Sequence, residues 1–240
     1  MRVQALYVHP VKGCRALPRT ELSLTALGAD QDRRFAFVAE DGLALTQRDQ
    51  PLLATVVPAL DERGLRLDFG GLAQLAFPLA DFTEAATVDV WGNRVAGKAV
   101  SQRAVSAAVD YLGAAVRLVM LDPQSQRAFV DSRPVLVTTT AGLDAVNRNL
   151  KTSVGMERFR PNVVLEGEDG AAALEGGEIR LERDKACGRC EVTTIDQASG
   201  ERRGPEPLRT LSERFGGNFG IYYRVARAGR LRRGEILERS

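Results

Sequence analysis

Two cysteines bracketing an arginine form the most reactive grouping in the sequence, Cys187-Gly188-Arg189-Cys190. The thiolate is the nucleophile and metal ligand, and a neighbouring cation favours it by charge attraction. In a thioredoxin-type redox centre a Cys-x-x-Cys pair opens a helix. Here residues 178–183 and 191–195 alternate in polarity, and the second run is rich in β-branched side chains. That pattern predicts a pair set between two strands, without a helix dipole to tune it. A thiolate at such a junction suits a soft metal.

Cations recur where turns meet strands: Lys12, Arg33, Arg34, the run Thr46-Gln47-Arg48, and Arg158-Phe159-Arg160-Pro161-Asn162. Arginine binds phosphate through planar bidentate contacts and lysine adds a point charge. Converging in space, these residues would hold a phosphorylated anion; scattered, they are solvated surface charge. Asp131-Ser132, just before the apolar run 135–137, offers a carboxylate and a hydroxyl for a polar ring edge, or an Asx-type turn. Asp196 reads as an ordinary turn residue. His9, Cys14, Cys187 and Cys190 are four ligands of a type zinc accepts, but the His9-x4-Cys14 spacing is not a standard one. Cys14 alone reads as a small apolar residue. The chain has a single histidine, which leaves little for histidine-based catalysis, and no glycine-rich phosphate loop appears.

The elements that must position these groups are mostly short strands. Residues 3–8 form a strand entering the turn at His9-Pro10-Val11-Lys12-Gly13, and residues 34–39 and 43–46 form a hairpin around Glu40-Asp41-Gly42. Residues 65–69, 73–77, 86–91 and 95–100 continue the pattern, with turns at Gly70-Gly71 and Gly92-Asn93. Three helices are predicted: 102–112 behind the N-cap Ser101 and before Gly113, 142–150 with an apolar face, and 207–215 opening on proline. Strands outnumber helices, which predicts a β-rich fold, mainly β with a few helices.

The 240 residues suffice for one large domain or two packed closely. A net charge of +2 gives no basic footprint for nucleic acid. No apolar run approaches the roughly 18 residues of a membrane span, and the N-terminus lacks a secretory signal pattern. Three cysteines do not make a disulfide framework, so the expected compartment is a reducing cytoplasm.

Taken together, the motifs Tyr7-Val8-His9-Pro10-Val11-Lys12, Asp32-Arg33-Arg34-Phe35, Thr46-Gln47-Arg48, Val90-Trp91-Gly92, Arg158-Phe159-Arg160-Pro161-Asn162 and Cys187-Gly188-Arg189-Cys190 resemble the MOSC superfamily. The chain is similar to proteins joining an N-terminal MOSC β-barrel to a MOSC domain, as in the mitochondrial amidoxime-reducing components and their bacterial relatives. The resemblance implies a β-barrel MOSC domain, over residues 96–240, packed with an N-terminal barrel over residues 1–95, their segments intertwined. It implies a molybdenum cofactor of the molybdopterin type, with Cys190 as metal ligand and catalytic centre. Lys12, Arg33, Asp131, Ser132, Arg160, Asn162 and Arg189 would contact its phosphate and pterin. The implied reaction is reduction of N-hydroxylated small molecules. Electrons would come from an external ferredoxin- or cytochrome-type protein with its reductase, because the chain shows no iron–sulfur or dinucleotide motif. A carrier of the cofactor or of sulfur is the alternative the resemblance leaves open. The segment 167–175 lacks the tryptophan common there in the family, which implies an altered loop beside the cofactor.

Overall fold

The alternating runs become strands, and the strands assemble into four sheets in the computed structural model, which describes residues 1–168 and 170–239. The largest has eight strands, in the order Glu238–Arg239, Ala173–Gly176, Ile179–Gly188, Asn218–Arg227, Val135–Thr139, Val163–Leu165, Val3–Val8 and Leu17–Arg19. Only the Val135–Thr139 and Val163–Leu165 pair is parallel within it. The first strand of the chain therefore lies in a sheet built mainly from the C-terminal half. A four-stranded sheet runs Phe35–Val38, Arg117–Leu121, Asn93–Ala99 and Glu84–Val90. Two three-stranded sheets complete the set: Gly229–Arg232, Glu21–Thr25 and Gly28–Ala29, then Val56–Asp61, Gly64–Phe69 and Gln74–Pro78.

The β-rich class matches the sequence reading, but the sheets are open rows rather than closed barrels. The edge strands of the four-stranded sheet do not pair with each other. Leu43 and Ala44 span the gap by single-residue bridges to Asp89 and Val38. This is also why residues 43–46 never become the second strand of a full hairpin: they share their hydrogen bonds between two neighbours.

Phe35–Val38 shows why burial, more than local propensity, sets these elements. All four residues are buried. Phe35 and Phe37 point into one core with Phe69, Phe77, Phe82 and Leu118. Ala36 and Val38 point into another with Val88, Val90, Val119 and Phe129. Side chains alternate across a strand, so a strand apolar on both faces can be shared by two cores. A third core fills the eight-stranded sheet through Val3, Leu6, Val137, Leu165, Leu181 and Ile221.

The three predicted helices are present but shorter. Residues 102–112 split into a 3₁₀ turn, Gln102–Val105, and an α-helix, Ser106–Leu112, closed by left-handed Gly113; Ser101 makes no side-chain cap. The second runs Thr140–Asn147, capped by the Thr139 hydroxyl accepting from the Gly142 amide at 3.1 Å. The third is Leu208–Arg214.

One sequence expectation fails at the cysteine motif. Residues 191–195 are not a strand: Glu191–Thr194 is a 3₁₀ turn with Cys190 at its N-cap, and Cys187 and Gly188 end the long strand before it. The threonines explain this. The hydroxyls of Thr193 and Thr194 donate back to the carbonyls of Cys190 and Glu191, at 2.9 and 2.7 Å. Such local hydrogen bonds compete with a ladder and outweigh β-branched propensity.

Phe37→Ala should cost about 3–5 kcal/mol of unfolding free energy in urea, because it empties a fully buried site in the core it shares with Phe69 and Leu118. Leu43→Ala, at a side chain that is half exposed, should cost under about 1 kcal/mol.

Candidate functional site

The turn after Val3–Val8 is laid against the start of Phe35–Val38. Arg33 donates its amide to the His9 carbonyl at 2.8 Å, Phe35 to Pro10 at 3.0 Å, and Lys12 to Phe35 at 2.8 Å. Gly13 completes the turn at φ +82, where a Cβ would meet the Leu53 side chain at 2.9 Å. This double strap places Lys12 and Arg33 side by side. The Phe129 amide then donates to the Arg33 carbonyl at 3.1 Å, bringing Asp131 and Ser132 over them. Lys12 is only 5% exposed; its ammonium donates to the Phe129 carbonyl at 3.2 Å and is ion-paired with Asp131.

From the other half of the chain, Arg160 enters at the end of the 3₁₀ turn Met156–Phe159 in a left-handed conformation. Asn162 follows and stitches strands together, accepting from the Leu136 amide at 3.2 Å and donating to the Tyr7 carbonyl at 3.4 Å. Arg189 lies over the Phe159 ring, with its guanidinium carbon 5.5 Å from the centroid. It donates to the Phe159 carbonyl at 2.8 Å and to the Cys187 sulfur at 2.9 Å.

Cys190 is held by a web behind it. Arg158 donates to the Thr193 carbonyl at 3.3 Å and to Asp196 at 3.4 Å. Gln47 and Gln197 exchange amide hydrogen bonds at 2.9 Å, both buried. Arg202 bridges from Glu191 to the Arg48 carbonyl, at 2.7 Å each. The thiol therefore sits in a loop tied to the Thr46–Arg48 segment on the opposite wall.

All eight residues singled out in the sequence, Lys12, Arg33, Asp131, Ser132, Arg160, Asn162, Arg189 and Cys190, line one cavity of about 490 Å³. Among the described residues its lining carries seven cations (Lys12, Arg33, Arg48, Arg133, Arg160, Lys185, Arg189) and one carboxylate, Asp131. Burial and the Arg33 charge push Arg160 down to about 10. Burial also lowers Lys12, against the opposing pull of Asp131. Burial alone would raise Asp131, but the Lys12 charge, the hydrogen bonds from Lys12 and Trp91 and the Arg48 charge together outweigh it and hold the carboxyl at about 2. The Arg48 Nη1 and Arg189 Nε are buried without a hydrogen-bond partner. Cations crowded together with unspent donors fit a multiply charged anion, and a half-buried free thiol among them fits a soft metal attached to it.

The zinc alternative has no support: among the described residues no three His, Cys, Asp or Glu side chains gather as a metal site. Cys14 is enclosed, and burial pushes its thiol up to about 12, as expected of a packing residue. The described part of segment 167–175 packs into the eight-stranded sheet through Ala171 and Leu174 and does not line the cavity; Asp169 lies outside the described residues.

Residues 1–115 match the MOSC N-terminal beta barrel domain and residues 124–238 match the MOSC domain. The chain belongs to the MOSC family. It is 30% identical to mitochondrial amidoxime reducing component 2 of Macaca fascicularis, over 99% of this chain and 83% of that protein. The human component 2 is 29% identical with the same coverage. The human mitochondrial amidoxime-reducing component 1 is 29% identical over 87% of this chain and 70% of its own length.

In this MOSC protein Arg48, read from sequence as one of the converging cations, lines the same cavity, as do Trp91, Arg133, Lys185 and Tyr222, to which the sequence reading gave no site role. Tyr222 lies on Asn218–Arg227, the ten-residue strand at the middle of the large sheet; its sequence signal is the run Phe219-Gly220-Ile221-Tyr222, which also resembles the family. Burial and its contact with Cys187 raise the Tyr222 phenol, so it stays protonated at neutral pH. Beneath the cavity, His9 and Asp32 are buried side by side, with Nδ1 and Oδ1 3.4 Å apart, and Asp32 pairs with Arg33.

Burial, then the charges of Arg33 and Arg160, push His9 down to about 3. The folded chain thus keeps this group neutral while the unfolded chain protonates it near its ordinary 6.5. Stability is therefore complete above that ordinary value and is lost progressively as pH falls toward 3. His9 is the only histidine, so its ring protons can be followed by NMR. They should not titrate in the native protein between about pH 8 and pH 5, and should titrate near pH 6.5 in urea. The urea midpoint should fall over the same acid range. A native titration near 6.5 would contradict this placement.

Proposed function

We propose that the protein reduces N-hydroxylated compounds, amidoximes, hydroxylamines and N-oxides among them, using a molybdenum cofactor held in this cavity. The observation that carries the reading is seven cations against one carboxylate around a half-buried thiol. The relatives named for amidoxime reduction, matched over nearly the whole chain, support it. Arg33, Arg160 and Arg189 would take the cofactor's phosphate, with the Lys12–Asp131 pair, Ser132 and Asn162 toward the pterin. The Cys190 thiolate would ligate the metal. Bound there, the cofactor supplies two-electron chemistry that takes the oxygen from an N–OH or N-oxide group, releasing the reduced nitrogen compound and water.

The chain's own contribution is placement. The 3₁₀ turn after Cys190 and the Gln47–Gln197 pair fix the thiol against the opposite wall. The Arg189–Cys187 contact turns a guanidinium toward the anion and leaves Cys187 buried as its support, not a second ligand. Tyr222 keeps a protonated phenol in the cavity wall. Electrons would arrive from a ferredoxin- or cytochrome-type protein with its reductase. The compartment we infer from three unpaired cysteines is a reducing one, the cytoplasm. No helix of the described residues is long and apolar enough to cross a membrane.

Cys190→Ala and Cys187→Ala separate the two thiols. After expression in a host that makes the cofactor, Cys190→Ala should lose molybdenum and benzamidoxime turnover with a chemical electron donor by about 100-fold or more. Cys187→Ala should keep most of its metal. Equal metal loss in both variants would point to a paired-thiol site and against the reading.

A further inference from the structure

The hairpin between Glu84–Val90 and Asn93–Ala99 turns on two residues, Trp91 and Gly92, with Val90 paired to Asn93. Their φ values are +56 and +79, both in the left-handed region. Such a turn ordinarily takes Asn-Gly, because glycine and asparagine tolerate positive φ. A bulky residue there is an outlier whose strain the surroundings must offset. The sequence nevertheless sets its only tryptophan at this position.

The indole is not tucked into a core; it is 58% exposed and faces the cavity that Cys190 lines. It is nonetheless fixed in place. Its Nε1 donates to Asp131 at 3.0 Å, and Asp131 is held by buried Lys12. Arg48 stands over the ring, with its guanidinium carbon 4.7 Å from the centroid, and the Arg48 carbonyl is pinned by Arg202 at 2.7 Å. A strained, oriented, solvent-exposed aromatic face at the rim of a polar cavity has no role in folding that these contacts explain. It offers a planar ligand an apolar surface in a site otherwise lined by charge.

We propose that Trp91, backed by Arg48, is the specificity-determining wall on which the flat part of an aromatic N-hydroxylated substrate rests while its N–OH group points toward Cys190. This rests on the reductase reading above. It predicts a preference for aryl over small aliphatic substrates, expressed mainly in KM, because stacking acts on the bound ground state and the transition state alike.

The test compares benzamidoxime with acetamidoxime. The ratio of their kcat/KM values should fall about tenfold in Trp91→Ala, chiefly through KM for benzamidoxime. Trp91→Phe, which keeps an aromatic face, should hold the ratio within about twofold. An unchanged ratio in Trp91→Ala would overturn the inference. So would molybdenum loss in that variant, which would assign the ring to the cofactor. Because Trp91 is the sole tryptophan, its fluorescence in the wild-type protein should also be quenched saturably by benzamidoxime and not by acetamidoxime. A response without saturation would overturn the inference whatever the turnover. Saturable quenching with neither substrate reduced would instead sink the reductase reading and leave the stacking wall standing.

Discussion

Like charges forced together in a half-buried space are the constraint around which this structure is organised. Two guanidinium groups about 5 Å apart at an effective dielectric near 20 repel by roughly 3 kcal/mol. The cavity crowds seven cations around a single carboxylate. Arg160 shows the cost directly: burial and Arg33 lower its proton affinity, and among the described residues it has no ion-pair partner. A fold that sets seven cations and one carboxylate in a single cavity lining leaves room for negative charge from a ligand. Partial compensation comes from behind the wall, where Asp32 pairs with Arg33 and Asp184 with Arg133.

Backbone strain follows the same map. Among the described residues four non-glycine positions have positive φ, and three of them, Arg33, Trp91 and Arg160, line the cavity. Such conformations persist only where neighbouring contacts determine them, and they collect at functional sites. The contacts here run between chain segments far apart in sequence: Gln47 with Gln197, Arg202 with Arg48, Lys12 with Asp131. The cavity wall is therefore shared between the N-terminal and C-terminal parts, and the first strand's place in the large sheet locks that arrangement.

Much of this was legible in the residues. Strands read at 3–8, 86–91 and 95–100 fold as Val3–Val8, Glu84–Val90 and Asn93–Ala99, with the turn between the last two at Trp91-Gly92 rather than Gly92-Asn93. Resemblance to the family named eight residues that meet in one cavity. What stayed hidden has physical reasons. Glu191–Thr194 looked like a strand because propensity counts side-chain branching, not the hydroxyls that bond back one turn. Val56–Asp61 carries Pro58, which reads as a strand breaker, yet it pairs along its whole length with Gly64–Phe69. The bridge from Leu43 to Asp89 depends on a partner distant in sequence. Trp91 could have been flagged from sequence alone, since a tryptophan before glycine in a hairpin turn breaks turn chemistry, and such breaks gather at functional sites.

The claim that the cavity is built to receive a phosphorylated anion can be tested without any metal. Cofactor-free protein should be titrated with inorganic pyrophosphate at constant ionic strength while its thermal midpoint is followed. A saturable rise in the midpoint, absent in Arg160→Ala, is the predicted result, since a ligand that binds only the folded chain stabilises it. A midpoint that does not move, or that moves equally in Arg160→Ala, would contradict the account.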